Sequence, residues 1–192
     1  MKGPNSAHFA VVPHAEIQRS RFDRSHGLKT TFDAGLLIPV FVDEVLPGDT
    51  FNLSMSAFCR LATPIKPIMD NIYLDSFFFF VPNRLVWDNW QRFNGEQPNP
   101  GDSTDFLVPV VSAFNPPVNT LADYFGLPVN GVSISDVNAL PFRAYNLIYN
   151  EWFRDQNLQQ RAAVSTGDGP DAYSTFPVAD RDWETPLTGK PK

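Results

Sequence analysis

Four consecutive phenylalanines, Phe77, Phe78, Phe79 and Phe80, closed by Val81 and stopped by Pro82, constrain this chain more than any other stretch. Successive side chains of a strand point to opposite faces, so alternating polarity buries one face, whereas an unbroken apolar run needs cover on both. The run follows an alternating lead in which Ile72, Leu74 and Ser76 interleave with Tyr73 and Asp75. Both faces then turn aromatic. A fully buried large apolar side chain contributes about 1.5–3 kcal/mol, so one wet face of this run forfeits roughly 3–6 kcal/mol, comparable with the stability of many domains. The pattern predicts an interior strand covered by a second sheet, by a helix or by another copy of the protein.

Composition extends that demand to the whole chain. Its 192 residues fit one domain with a sizeable core, and no segment reaches the roughly eighteen consecutive apolar residues of a membrane span. It therefore reads as soluble, and the start lacks the continuous apolar core of a signal peptide. Only 19% of the residues are charged while 14% are aromatic and 18 are proline. Aromatic-rich strands with proline-rich connections suit an all-β protein with long ordered loops, and sparse charge suits large protein–protein contacts. A net charge of −6 argues against general nucleic-acid coating.

Residues 1–35 lack periodicity and carry Gly3, Pro4, Pro13, Gly27 and Gly35, as an extended N-terminal arm does. Arg19, Arg21, Arg24 and Lys29 outnumber Glu16 and Asp23 there. Two readings stay open: a solvated arm pairing with acidic neighbours, or an arm whose cations touch nucleic-acid phosphates.

The body, residues 36–192, begins with a β-like stretch, Leu36 to Val45, with Val40 and Val42 on one face and Phe41 and Asp43 on the other. Pro47-Gly48-Asp49 has turn chemistry. Thr50 to Ala57 alternates most cleanly, placing Phe51, Leu53 and Met55 on the apolar face of a half-buried strand. After Pro82, Val86, Trp87, Trp90 and Phe93 fall at helical spacing, predicting a short helix over about 83–93 that Asn83 caps and whose rings pack on the sheet. A short helix is expected over Thr120 to Phe125, with Thr120 as cap and Gly126 as stop, and short strands near Val129 to Ile134 and Tyr173 to Val178.

The best helix candidate covers about 139–157. Pro141 suits its first turn, and Phe142, Tyr145, Ile148 or Tyr149, Trp152 and Phe153 form one apolar stripe. Arg143, Asn146, Asn150, Glu151 and Arg154 lie opposite. The predicted packing set is Phe51, Leu53, Met55, Phe77, Phe78, Phe79, Phe80, Trp87, Trp90, Tyr145 and Trp152.

Catalytic patterns are missing. A histidine-based metal site, as in cupins, needs clustered ligands, but His8, His14 and His26 all precede Gly27 without metal-like spacing. Cys59 is the single cysteine and has no nearby histidine in sequence. Asp43 and Glu44 are adjacent, hence on opposite strand faces, and phosphate-cradling glycine motifs are absent. The expectation is a protein that is not an enzyme and takes no cofactor or metal.

Five segments carry a specific resemblance: 20–26 (SRFDRSH), 29–32 (KTTF), 42–51 (VDEVLPGDTF), 79–85 (FFVPNRL) and 140–158 (LPFRAYNLIYNEWFRDQNL). In order and spacing they resemble the major capsid proteins of microviruses, in particular the gokushovirus branch, over about 18–170. The resemblance implies a mainly β fold, a viral jelly roll of two packed antiparallel sheets with long loops, here with helical insertions. Family members are considerably longer, so the sandwich is expected to be incomplete. It also implies a structural subunit of a small T=1 icosahedral shell around circular single-stranded DNA, located in the virion and assembled in the host cytoplasm. The implied partners are further copies of itself, other virion and scaffolding proteins of the same phage, and the packaged DNA, with no membrane. The candidate DNA contacts are then Arg19, Arg21, Arg24 and Lys29. A free jelly-roll carbohydrate-binding module using Trp87, Trp90 or Trp152 is the competing class, and it requires exposed rings.

Overall fold

The structure, a computed structural model, describes residues 18–178. His8, His14 and most of the expected arm before Arg19 lie outside the described residues, as does the polar end from Arg181 to Lys192. The described residues are mainly non-helical and are organised around one helix, α3 (Leu140–Ile148), which continues into a single π turn, Tyr149–Phe153.

Local chemistry starts this helix where the sequence placed it. Pro141 sits in the first turn, where its missing N–H costs nothing, and the Asn138 Oδ1 accepts the Leu140 N–H at 2.9 Å. Leu140, Ala144 and Leu147 meet a cluster built on Val86 and Trp87. Phe142, Tyr145 and Tyr149 meet a second cluster with Val111, Leu121, Ala139 and Phe176. A helix apolar on two sides has little left to give to water.

Its third side is the surprise. Arg143, Asn146 and Asn150, which sequence spacing sets opposite the apolar stripe, are also buried. Each holds loop backbone. Arg143 grips the Asp171 carboxylate with two bonds, Nε to Oδ2 at 2.6 Å and Nη2 to Oδ1 at 3.0 Å, and donates to the Val86 and Gly167 carbonyls at 3.0 Å each. Asn146 donates to the Ala163 and Thr175 carbonyls, and Asn150 exchanges two bonds with Ala162. A tail with little regular structure of its own must have its polar backbone groups satisfied when it is buried, and these side chains do that.

The helix stops earlier than the expected 157. Arg154 is already extended at ψ 129°, and its N–H reaches back to the Tyr149 carbonyl at 2.9 Å, as a π turn requires. Asp155 then accepts the Asn157 N–H on its side chain and the Gln159 N–H on its carbonyl, local bonds that compete with a further helical turn.

The 83–93 helix is also interrupted. Asn83–Leu85 is a 3₁₀ turn and α1 (Trp90–Phe93) is a single helical turn. Asn83 is inside the first turn, and no side chain caps it. The break lies between them because Arg143 takes the Val86 carbonyl and the Thr166 carbonyl takes the Asp88 N–H at 2.9 Å. Those are groups a continuous helix needs for itself. Trp87 is fully buried, and its indole N–H donates to Asp168 Oδ1 at 2.5 Å.

Two strands pair among the described residues, β1 (Val110–Val111) and β2 (Val137–Asn138), antiparallel with Val110 opposite Asn138. Asp171 adds a parallel bridge to Val111 on the other side. α2 (Leu121–Tyr124) forms as expected, with Thr120 at the cap position, Asp123 accepting the Asn119 N–H and Gly126 at φ +80°. The Pro47-Gly48 turn forms too: Asp49 N–H bonds the Leu46 carbonyl, its side chain accepts the Leu46 N–H, and Gly48 has φ +85°.

The remaining expected strands do not form. Residues 50–57 and 71–81 carry no ladder, and 129–134 makes one bridge, Ile134 to Phe114. Tyr173–Thr175 is a 3₁₀ turn whose neighbour Phe176 is buried. A strand needs a pairing partner, and beyond the single Ile134–Phe114 bridge these segments find none within residues 18–178.

Two outcomes follow. Arg143→Ala strands a buried carboxylate and two carbonyls, so urea unfolding should show a loss of about 3–5 kcal/mol. Arg143→Met with Asp171→Leu should recover only part of it, because the Val86 and Gly167 carbonyls stay unpartnered. Asp168 is held below its ordinary value by the Asn89 amide, then by the Trp87 indole. A depressed carboxylate stabilises above its unfolded pKa and loses that contribution as pH falls through the folded value. Asp168→Asn should therefore flatten the acid end of a thermal-midpoint profile followed by tryptophan emission.

Candidate assembly surface

Large exposed apolar side chains concentrate before residue 81. Phe51, Leu53 and Met55, expected to pack, are exposed with the whole of 50–57, and so are Phe77, Phe78 and Phe80. Within residues 18–178 these side chains stay exposed, Phe77 despite one ring contact, so the expected packing is not seen among the described residues. Phe79 is half-buried.

One side of the phenylalanine run has partial cover. Phe77 meets Phe153 edge-on with ring centres 5.5 Å apart, and Phe79 reaches Phe153 at 6.0 Å and Trp152 at 5.4 Å. The π turn supplies both rings from adjacent positions. Trp152 is nevertheless 72% exposed, so its expected packing is a one-sided contact. Trp87 and Tyr145 are buried and Trp90 is half-buried. The Tyr145 hydroxyl donates to the Leu37 carbonyl at 2.7 Å, which ties the start of the body to α3.

Between Arg19 and His26 the arm is pinned at three points. Arg24 pairs with Asp43 at 2.8 Å, His26 stacks on Phe41 at 5.6 Å, and Arg19 donates to the Gly48 carbonyl at 3.1 Å. Asp23 accepts the Ser25 hydroxyl and N–H, which hold its carboxyl below the ordinary range. The alternation read for 36–45 survives as burial: Phe41 and Asp43 are half-buried while Val40 and Val42 are exposed. Of the four candidate phosphate contacts, Arg19 and Arg24 are thus engaged within the chain. Arg21 and Lys29 project without an ion pair among the described residues.

Sequence reasoning missed Arg143, Asn146 and Asn150 together with Asp168 and Asp171. The available signal was a polar row at i, i+3 and i+7 inside an aromatic helix, which spacing alone cannot distinguish from a wet face. No three His, Cys, Asp or Glu among the described residues could share a metal ion. No helix there is long and apolar enough to cross a membrane.

Apolar side chains exposed over so long a stretch call for a covering partner, as in proteins that assemble. A family model described as capsid protein (F protein) matches residues 10–184. The chain belongs to this capsid protein family, whose members are structural proteins rather than enzymes. It is 52% identical over 174 residues to capsid protein VP1 of Bdellovibrio phage phiMH2K, covering 90% of this chain and 32% of that protein. Capsid protein VP1 of Chlamydia phage 1 is 54% identical over 168 residues, covering 83% of this chain and 28% of that protein. For capsid protein VP1 of Spiroplasma virus 4 the identity is 34% over 161 residues, with 82% and 29% covered. The microvirus resemblance of the five sequence segments is thereby met, and the chain spans about three-tenths of these relatives' length.

The pinned arm has a measurable consequence. Arg24→Gln should raise the rate of chymotryptic cleavage near Phe32 and Phe41, while the urea midpoint moves by less than about 1 kcal/mol, the usual limit for an exposed ion pair.

Proposed function

We propose that this chain is part of a major capsid protein subunit whose copies build a small icosahedral shell around circular single-stranded DNA. The observation that carries the reading is the surplus of apolar surface on residues 51–80 in a chain belonging to a capsid protein family. A monomer rarely exposes so much contiguous apolar area, and an interface of subunits or of further sheet removes it. In this reading the unpaired rows are strands of a viral jelly roll, and other virion and scaffolding proteins meet the assembled surface. The relatives are capsid proteins, which fits a place in the virion after assembly in the host cytoplasm.

Phosphate contact narrows to Arg21 and Lys29. Between Gln18 and Asp49 the four Arg and Lys residues are matched by Asp23, Asp33, Asp43, Glu44 and Asp49, so the arm is no basic coat. Two free cations still suffice for local contacts, because phosphate neutralisation needs charge and no particular fold. A carbohydrate-stacking module is disfavoured at Trp87, which is buried, and at Trp90, which is half-buried against Trp87 and Phe93, while Trp152 at 72% exposed keeps the open ring such a site requires.

The test places this chain in the matching segment of the phiMH2K capsid protein and follows assembly by electron microscopy. Closed shells of uniform diameter are expected; dispersed chimeric monomers that cover no apolar surface would sink the reading. In those shells Arg21→Gln with Lys29→Gln should lower the salt slope of single-stranded DNA retention by about 0.7 per lost phosphate contact. Arg19→Gln with Arg24→Gln should leave that slope in place.

A further inference from the structure

Phe22 is 79% exposed, and it is the single apolar side chain between Gln18 and Gly27. No ring among the described residues packs on it, whereas His26 already stacks on Phe41. Its setting differs from that of the exposed rings on 51–80, which stand among other apolar side chains and call for an apolar cover. Ser20, Arg21, Asp23, Arg24 and Ser25 flank Phe22, so a flat partner that itself carries charge suits it better.

The backbone on either side of the ring is held. Arg19 donates to the Gly48 carbonyl, Asp23 accepts the Ser25 hydroxyl and N–H, and Arg24 pairs with Asp43. The ring is thus presented from a stretch already ordered, which lowers the entropic cost of binding. Arg24 is answered by Asp43, and the Asp23 carboxylate is turned to Ser25. That leaves Arg21 exposed beside the ring and without an ion pair among the described residues. Lys29, likewise without one, lines a hollow of about 340 Å³ with Thr30, Thr31 and Asp123, where a carboxylate opposes any phosphate.

Resting on the capsid reading above, we infer that Phe22 is a base-stacking platform for single-stranded DNA and that Arg21 holds the phosphate beside the stacked base. Single strands are bound by this combination, a flat ring for the base and a cation for the backbone, and it is sequence-tolerant because every base has a face to offer. A second copy of the chain is the weaker occupant. An apolar pocket that took the ring would desolvate the Arg21 guanidinium and the Asp23 carboxylate at its rim.

The test measures binding of the 192-residue chain to a fluorescein-labelled oligothymidylate at low salt by anisotropy, beside an abasic strand of equal length. Phe22→Ala should weaken oligothymidylate binding about 5- to 150-fold, the range for one lost stacked base, and leave the salt slope and the urea midpoint unchanged. The abasic strand should bind weakly and ignore Phe22→Ala. Phe22→Trp should keep the affinity and Phe22→Leu should lose it, since leucine is apolar without being flat. Arg21→Gln should instead lower the salt slope by about 0.7. Equal binding of the abasic and base-bearing strands, or full affinity in Phe22→Leu, overturns the stacking. Self-association that Phe22→Ala abolishes, with oligothymidylate binding untouched, gives the ring to a second copy and also overturns it. If these results fail while chimeric shells form and retain DNA, the stacking falls and the capsid reading stands, whereas chimeras that form no shell strike the capsid reading itself.

Discussion

The Arg143–Asp171 pair is the constraint on which the folded part depends. A guanidinium fully withdrawn from water is tolerable only when its donors are matched, and here four bonds reach three residues on two separate stretches of chain. Val86 belongs to the turn that buries Trp87, Gly167 to the loop that holds the Trp87 indole through Asp168, and Asp171 to the segment bridged to β1. One side chain on α3 therefore fixes the Val86 turn and both ends of the 167–171 loop. Lysine could not replace it, since a single ammonium lacks the planar fork that grips a carboxylate with two parallel bonds.

That arrangement explains why so little regular structure suffices. β1 and β2 are two residues each, and α1 and α2 are single turns. What replaces ladders is a row of side chains on α3 that donate to loop carbonyls, with Asn146 and Asn150 repeating toward the C-terminus what Arg143 does near the start. Aromatic rings fill the space between. Tyr173 stacks on Phe114 at 4.1 Å while its hydroxyl accepts the Ala122 N–H, so one residue closes both an apolar and a polar contact.

Local chemistry was readable in the sequence, and tertiary chemistry was not. The Pro47-Gly48-Asp49 turn, the α2 start at Thr120 and the α3 start at Pro141 depend on residues within a few positions of one another. The interruption at Val86 depends on Arg143 and Thr166, both more than fifty positions away, and no periodicity in 83–93 announces them. The polar row of α3 failed for a related reason. Spacing identifies a face, but only the loops packed on that face decide whether it is wet. The strands of 50–57 and 71–81 were misjudged in the opposite sense, because alternation states that a partner is needed without locating it within the same stretch of chain.

The phenylalanine run thus unites the two halves of the molecule. Its odd-numbered side rests on Trp152 and Phe153, which the π turn at the end of α3 brings to adjacent positions, and α3 is itself fixed by Arg143. The staples of the folded part therefore also aim the rings that hold this segment. The edge contacts of Phe77 and Phe79 with Phe153 restrict this segment, although Phe77 itself remains 53% exposed. An apolar segment with this much exposure carries an aggregation hazard until something covers it.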